Sequence, residues 1–169
     1  MVRAGILGED DHVELIEGEL LVMSPQDPPH AGAINRLTRR LVGAYGPGHL
    51  VRVQLPLHVS RHSLPGPDVV VARGDEAAFD ARHPAGADAV LVVEASWSSR
   101  ARDQRKAAIY ARAGVPVYWR LDLETRQLEV HEQPGADGYA RTTTLGEDDE
   151  VEAPGSAARW KVGDLLPAR

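Results

Sequence analysis

The chain contains no cysteine, which excludes both a disulfide framework and a thiolate metal site. It has no apolar run near the ~20 residues needed to cross a bilayer. Met1 to Asp11 turns acidic too soon to read as a secretory leader. These absences predict a cytoplasmic protein with no membrane partner. The seven histidines show no His-Glu-x-x-His or other paired spacing, so a zinc hydrolase is not indicated. Gly-x-Ser-x-Gly and a glycine-rich phosphate loop are missing too. No internal repeat, linker or low-complexity segment interrupts the chain. Positive charge is in deficit: 19 Lys and Arg against 25 Asp and Glu give a net charge of -6, unlike the basic balance of a dedicated nucleic-acid binder. A nuclease survives that test, because acids gathered for a metal add negative charge while a basic face persists elsewhere.

What is present suits one globular domain with a sizeable core: 169 residues, 43% hydrophobic and 26% charged. A single domain is expected over residues 1–169, its core about 10–132, followed by a C-terminal hairpin and tail over 133–169. Val13 to Met23 reads as a β-hairpin turning at Glu17-Gly18, and Ser24 to Pro29 as a proline-rich loop. From His30 to Tyr45, Ile34, Leu37, Leu41 and Tyr45 recur at helical spacing. Asp27 is placed to cap that helix, with proline in its first turn. Extended pieces follow at His49 to Gln54 and Pro56 to Ser60. Val69 to Ala72 and Ala87 to Ser96 read as buried strands, with a helical turn around Glu76 to Phe79 between them. Ala101 to Ala113 is helical and Gly114 ends it. Val115 to Leu121 is a further strand, so strand, helix and strand suggest a parallel pair with a crossover. Leu128 to Glu132 and Tyr139 to Thr144 close as a hairpin. Glu147 to Glu150 reads as a solvated loop, and Trp160 and Val162 are placed to dock on the body.

Chemistry concentrates at three positions. Glu94 ends an otherwise apolar strand, where a carboxylate needs either solvent or a positive partner. Asp68 precedes another apolar run, and Lys106 lies in the helix after Glu94. Each has a plain reading on its own: turn chemistry for Asp68, a solvent-facing strand end for Glu94, and a surface pair with Asp103 for Lys106. Together they fit metal-assisted phosphodiester hydrolysis. Magnesium takes one or two carboxylates with water and phosphate, and a lysine can orient the attacking water or offset developing charge. His30 opens the first helix, as a cap, a surface residue or an accessory to the site. Glu14, Glu17 and Glu19 lie on or beside the first hairpin. One of them could complete the acidic site, with Glu17 an accessory candidate, and alternation does not say which faces inward.

The ordered set Glu14 to Leu20, Met23-Ser24-Pro25, the helix after Pro29-His30, Pro67 to Val71, Leu91 to Glu94, and Lys106 to Tyr110 running into Ala113 to Trp119 resembles the Uma-type restriction-endonuclease family, formerly a domain of unknown function. That family belongs to the PD-(D/E)XK nuclease superfamily, and the resemblance covers roughly residues 10 to 132. It implies an α/β (α+β) restriction-endonuclease-like core: a central mixed sheet flanked by helices, with an N-terminal hairpin and metal-binding acids on adjacent strands. The motif acids fall at Asp68 and Glu94. Ser96 stands where the superfamily's usual lysine would be, and Lys106 supplies a lysine from the following helix. Two positions depart from the pattern. Relatives read Pro-Glu-Pro-Asp where this chain has Pro65-Gly66-Pro67-Asp68. They also place one more residue between the helix aspartate and lysine than Asp103 to Lys106 allows, and at ~100° per residue that turns the lysine on its helix.

The leading expectation is a Mg2+- or Mn2+-dependent DNA endonuclease. Asp68 and Glu94 bind metal, helped by the backbone carbonyl of Ala95, and Lys106 assists the attacking water. Arg100, Arg102 and Arg105 are candidates for phosphate contacts. Cutting both strands favours a homodimer. The alternatives are a catalytically silent module that kept the fold for binding or assembly, and a hydrolase of another phosphodiester such as RNA.

Overall fold

A computed structural model describes residues 13–22, 26–97 and 100–168, with backbone alone for 100–103. The elements are β1 (Val13–Ile16), β2 (Glu19–Val22), α1 (Pro28–Ala44), β3 (His49–Val53), β4 (Val69–Arg73), β5 (Ala89–Ser96), α2 (Arg100–Arg112), β6 (Val117–Asp122), β7 (Gln127–Gly135), β8 (Gly138–Leu145), β9 (Glu150–Glu152) and β10 (Arg159–Lys161). Single 3-10 turns occupy Ala77–Phe79, Gly86–Asp88 and Val162–Asp164. Among the described residues, no helix is long and apolar enough to cross a membrane.

Strands β3 to β8 form a six-stranded sheet in chain order. All its pairings are antiparallel except β5 with β6. That parallel pair is joined through α2, the crossover a parallel pair requires. The sheet is therefore mixed and helix-flanked, as the sequence predicts, and the fold is α+β.

Period-two alternation divides the apolar residues between two faces. Val69, Val71, Leu91, Val93, Trp119 and Leu121 pack with Ala33, Ile34, Leu37 and Leu41 of α1. Val162, Leu165 and Leu166 of the tail join the same layer, so the predicted docking of the tail is observed. Val70, Val92 and Tyr118 face the other way, toward Ile109 and Tyr110 of α2 and Ile16 of the hairpin.

Local chemistry sets the element ends. Asp27 accepts the His30 N–H at 2.9 Å and caps α1, with proline in the first turn as expected. Glu17 (φ 49°) and Gly18 (φ 88°) both take left-handed backbone, the requirement of a two-residue type I′ hairpin turn. Two expectations need adjustment. Pro56 to Ser60 forms no strand: Pro56 has no N–H to give, and Leu57 donates its own to the Pro65 carbonyl in an irregular loop. Glu147 is not freely solvated, since Arg126 grips its carboxylate through Nε at 2.6 Å and Nη2 at 2.9 Å. The expectations for Met23 to Pro25 lie outside the described residues.

Candidate active site

Strands β4 and β5 pair with Val69 opposite Val93. Asp68 immediately precedes β4 and Glu94 immediately follows Val93, so both acids stand at the same end of the paired strands, 6% and 7% exposed. The strands' apolar neighbours bury them, and the surrounding elements supply their partners.

Asp68 is held from three directions. Its Oδ2 accepts the Ala95 N–H at 2.8 Å and lies 3.0 Å from His30 Nε2. Its Oδ1 accepts from Gln54 Nε2 at 3.3 Å. Gln54 sits just past β3 with φ 52°, a left-handed conformation uncommon for a residue with a side chain. Glu94 is bound more tightly: its Oε1 receives the Tyr110 hydroxyl at 2.6 Å and Lys106 Nζ at 3.0 Å. Lys106 Nζ also donates to Glu14 Oε1 at 2.9 Å, and that oxygen accepts the Gly66 N–H at 2.9 Å. Glu14 and Lys106 are themselves buried.

Three buried acids, Glu14, Asp68 and Glu94, gather with one buried ammonium, and the half-buried His30 contacts Asp68. Burial pushes the Glu94 carboxyl up to about 7; the Lys106 charge opposes this, while Asp68 and Glu14 add to it. For Lys106 burial favours loss of the proton, but the Glu94 and Glu14 carboxylates outweigh it and raise its pKa. It is therefore a cation, with no capacity to act as a base near neutrality. Tyr110 is driven well above the ordinary phenol value by burial first and Glu94 second, so it donates. The hydrogen bond to Asp68 raises His30 against the opposing effect of burial.

The oxygens at this spot suit a hard cation. Ala95 turns its N–H toward Asp68. In an extended strand the N–H and C=O of one residue lie on the same edge, so its carbonyl faces that way as well. Among the described residues, no three His, Asp or Glu side chains gather into a chelating group. Two carboxylates and a carbonyl, completed by water, match the way magnesium is usually held.

The structure brings Asp68, Glu94, Ala95, Lys106 and His30 together. Lys106 reaches Glu94 despite the shortened spacing after Asp103. Glu17 does not join them: it occupies the hairpin turn, where Arg105 Nε at 2.8 Å and Arg112 Nη2 at 2.6 Å bind it. Glu14 takes the place considered for it, because the strand preceding that turn presents Glu14 and Ile16 to the interior. Arg105 is engaged by Glu17 and by Glu19, the latter at 2.7 Å. The side chains of Arg100 and Arg102 lie outside the described residues. The sequence reading passes over Tyr110 and Gln54. Tyr110 is one helical turn after Lys106, and that i, i+4 relation was the signal available.

The family model described as "Putative restriction endonuclease", Uma2, matches residues 3–164. No curated protein matches the chain. Among solved structures, one described as a putative nuclease belonging to DUF820 from Anabaena variabilis ATCC 29413 superposes with a TM-score of 0.79 at 15% identity. The alignment covers 96% of this chain and 94% of that one, and at such identity the likeness is one of fold. With the family match running almost end to end over a nuclease-like fold, the chain belongs to the Uma2 family.

Proposed function

We propose that the protein is a divalent-metal-dependent DNA endonuclease centred on Asp68 and Glu94. The carrying observation is the pair of buried acids at one end of the sheet, beside a lysine that contacts one of them and a histidine that contacts the other. The donor set of Asp68, Glu94 and the Ala95 carbonyl suits Mg2+ or Mn2+. When bound, the metal polarises the scissile phosphate and lowers the pKa of a water.

The protein's own groups do the remaining work. Lys106 stays cationic beside Glu94 and Glu14. It holds Glu94 in place and presents positive charge where a pentavalent phosphate gains negative charge. Tyr110 fixes the same carboxylate oxygen. His30, raised by its bond to Asp68, orients that aspartate and is placed to pass a proton at its Nε2. Cutting both strands takes two such centres, which a homodimer supplies. Lys106 reaching the acids removes one ground for the silent-module reading.

The test is plasmid cleavage by purified protein with Mg2+, Mn2+ or EDTA, beside Glu94→Gln and Lys106→Ala. Cleavage is expected to need metal and to fall by about 100-fold or more in Glu94→Gln. Wild-type cleavage no greater than that of Glu94→Gln would defeat the proposal. Calorimetric titration of Mn2+ into wild type, Asp68→Asn and Glu94→Gln separates a silent fold from an enzyme with a narrow substrate.

A further inference from the structure

Two described arginines are buried, Arg52 at 9% exposure and Arg120 at 5%. Arg120 is matched by Glu129 and Asp122. Arg52 has no carboxylate among the described residues. Its one polar contact is Nη2 to His83 Nδ1 at 3.3 Å, and its Nε is buried without a partner. Burial alone pulls its guanidinium below the ordinary arginine value. A charge taken out of water without a counter-ion is costly, and an unpaired buried donor adds to that cost.

The surroundings are arranged, not incidental. His58 pairs with Ala85 in an isolated parallel bridge. Its N–H goes to the Pro84 carbonyl at 2.8 Å, and its own carbonyl accepts the Gly86 N–H at 3.2 Å. Burial first, then the charges of Arg52 and of the nearby His58, disfavour His83 protonation. His58 and His83 are both exposed residues, while Arg52 is buried. The neighbouring Arg82 is no substitute, because Asp88 holds it at 2.6 Å. Arg52 is opposite Val70 on β4. It stands two residues before Gln54, about 7 Å along the strand, and Gln54 touches Asp68.

We propose that Arg52, His83 and His58 form a second site that takes a phosphate group, filled by a backbone phosphate of the nucleic acid being cut. The Arg52 guanidinium touches the His83 imidazole, and His58 lies near enough to His83 to act on its charge. They suit the several oxygens of a phosphate better than a planar carboxylate, which one guanidinium fork satisfies. The assignment to nucleic acid rests on the nuclease reading, while the phosphate site does not.

Histidine ring resonances of the whole protein, titrated with inorganic phosphate at constant ionic strength, read the site without any activity. Saturable shifts are expected at His58 and His83 and not at the other five of the seven histidines. They should vanish in Arg52→Met and persist, weakened, in Arg52→Lys. Shifts that fail to saturate, spread to all histidines or survive Arg52→Met would overturn the site, and the wild-type titration decides alone if that variant does not fold. Duplex binding in EDTA tests the source of the phosphate: Arg52→Met should weaken it about tenfold and lower the salt slope by about one. An unchanged duplex affinity with an intact phosphate response would overturn the nucleic-acid assignment. Absence of metal-dependent plasmid cleavage by the wild type, with the phosphate response retained, would count against the nuclease reading and leave the site standing.

Discussion

Lys106 and Tyr110 project from one face of α2 and end on the same oxygen of Glu94. Removing either exposes how the buried charge is carried. Lys106→Met strands two carboxylates away from water and should cost about 3–5 kcal/mol. Adding Glu14→Gln to that variant should restore part of the loss, and a double-mutant cycle in urea reads the coupling. Tyr110→Phe removes one hydrogen bond to a charged acceptor and should cost about 1.5–3 kcal/mol by the same measurement. At this scale the sequence disclosed Asp68 and Glu94, because an acid beside an apolar run is conspicuous. It concealed Glu14: Val13, Glu14, Leu15 and Ile16 alternate so that apolar residues stand at both parities, and packing against α2 settles the choice. Arg52 gave no sign, since one arginine in a short strand looks like a surface residue until its partners are counted.

Between elements, the hairpin of β1 and β2 is tied to α2 by exposed ion pairs from Arg105 and Arg112 to Glu17. Such pairs contribute little singly, so the buried Ile16 and the Glu14–Lys106 contact anchor the hairpin. Where β5 begins, Gly86 meets the end of α2. A Cβ there would strike the Ala113 carbonyl oxygen and come within 2.6 Å of the Ala113 Cβ. Gly86→Ala should therefore destabilise by about 1–3 kcal/mol, seen as a lower Tm. Helices and buried strands were legible because period and caps agreed, as in α1. The segment from Pro56 to Ser60 was not, because its shape comes from irregular loop bonds to Ser63 and Pro65 and from a distant one to Pro84, none of which leaves a periodic pattern.

Across the whole molecule, Arg120 couples β6 to β7. Its hydrogen bond lowers Glu129 below the ordinary glutamate value. For Asp122, burial pulls upward but Thr125 and Arg120 prevail and lower it. Depressed carboxyl pKa values mean that the unfolded chain binds more protons as pH falls, so stability present near neutrality is lost on acidification. The urea midpoint should drop between about pH 5 and pH 3, and less steeply in Glu129→Gln. The mixed sheet was readable from the strand, helix and strand after Glu94, while the partners of those strands followed only from assembly of the layers. The acidic centre draws on β1, α1, β4, β5 and α2, and its Glu14–Lys106 contact spans 92 positions. Contacts of such separation form late, after local structure has paid the entropy of closing the chain. A nascent or partly folded chain thus lacks the assembled acidic cluster, and the order of folding itself delays the meeting of Glu14, Glu94 and Lys106 until the layers have come together.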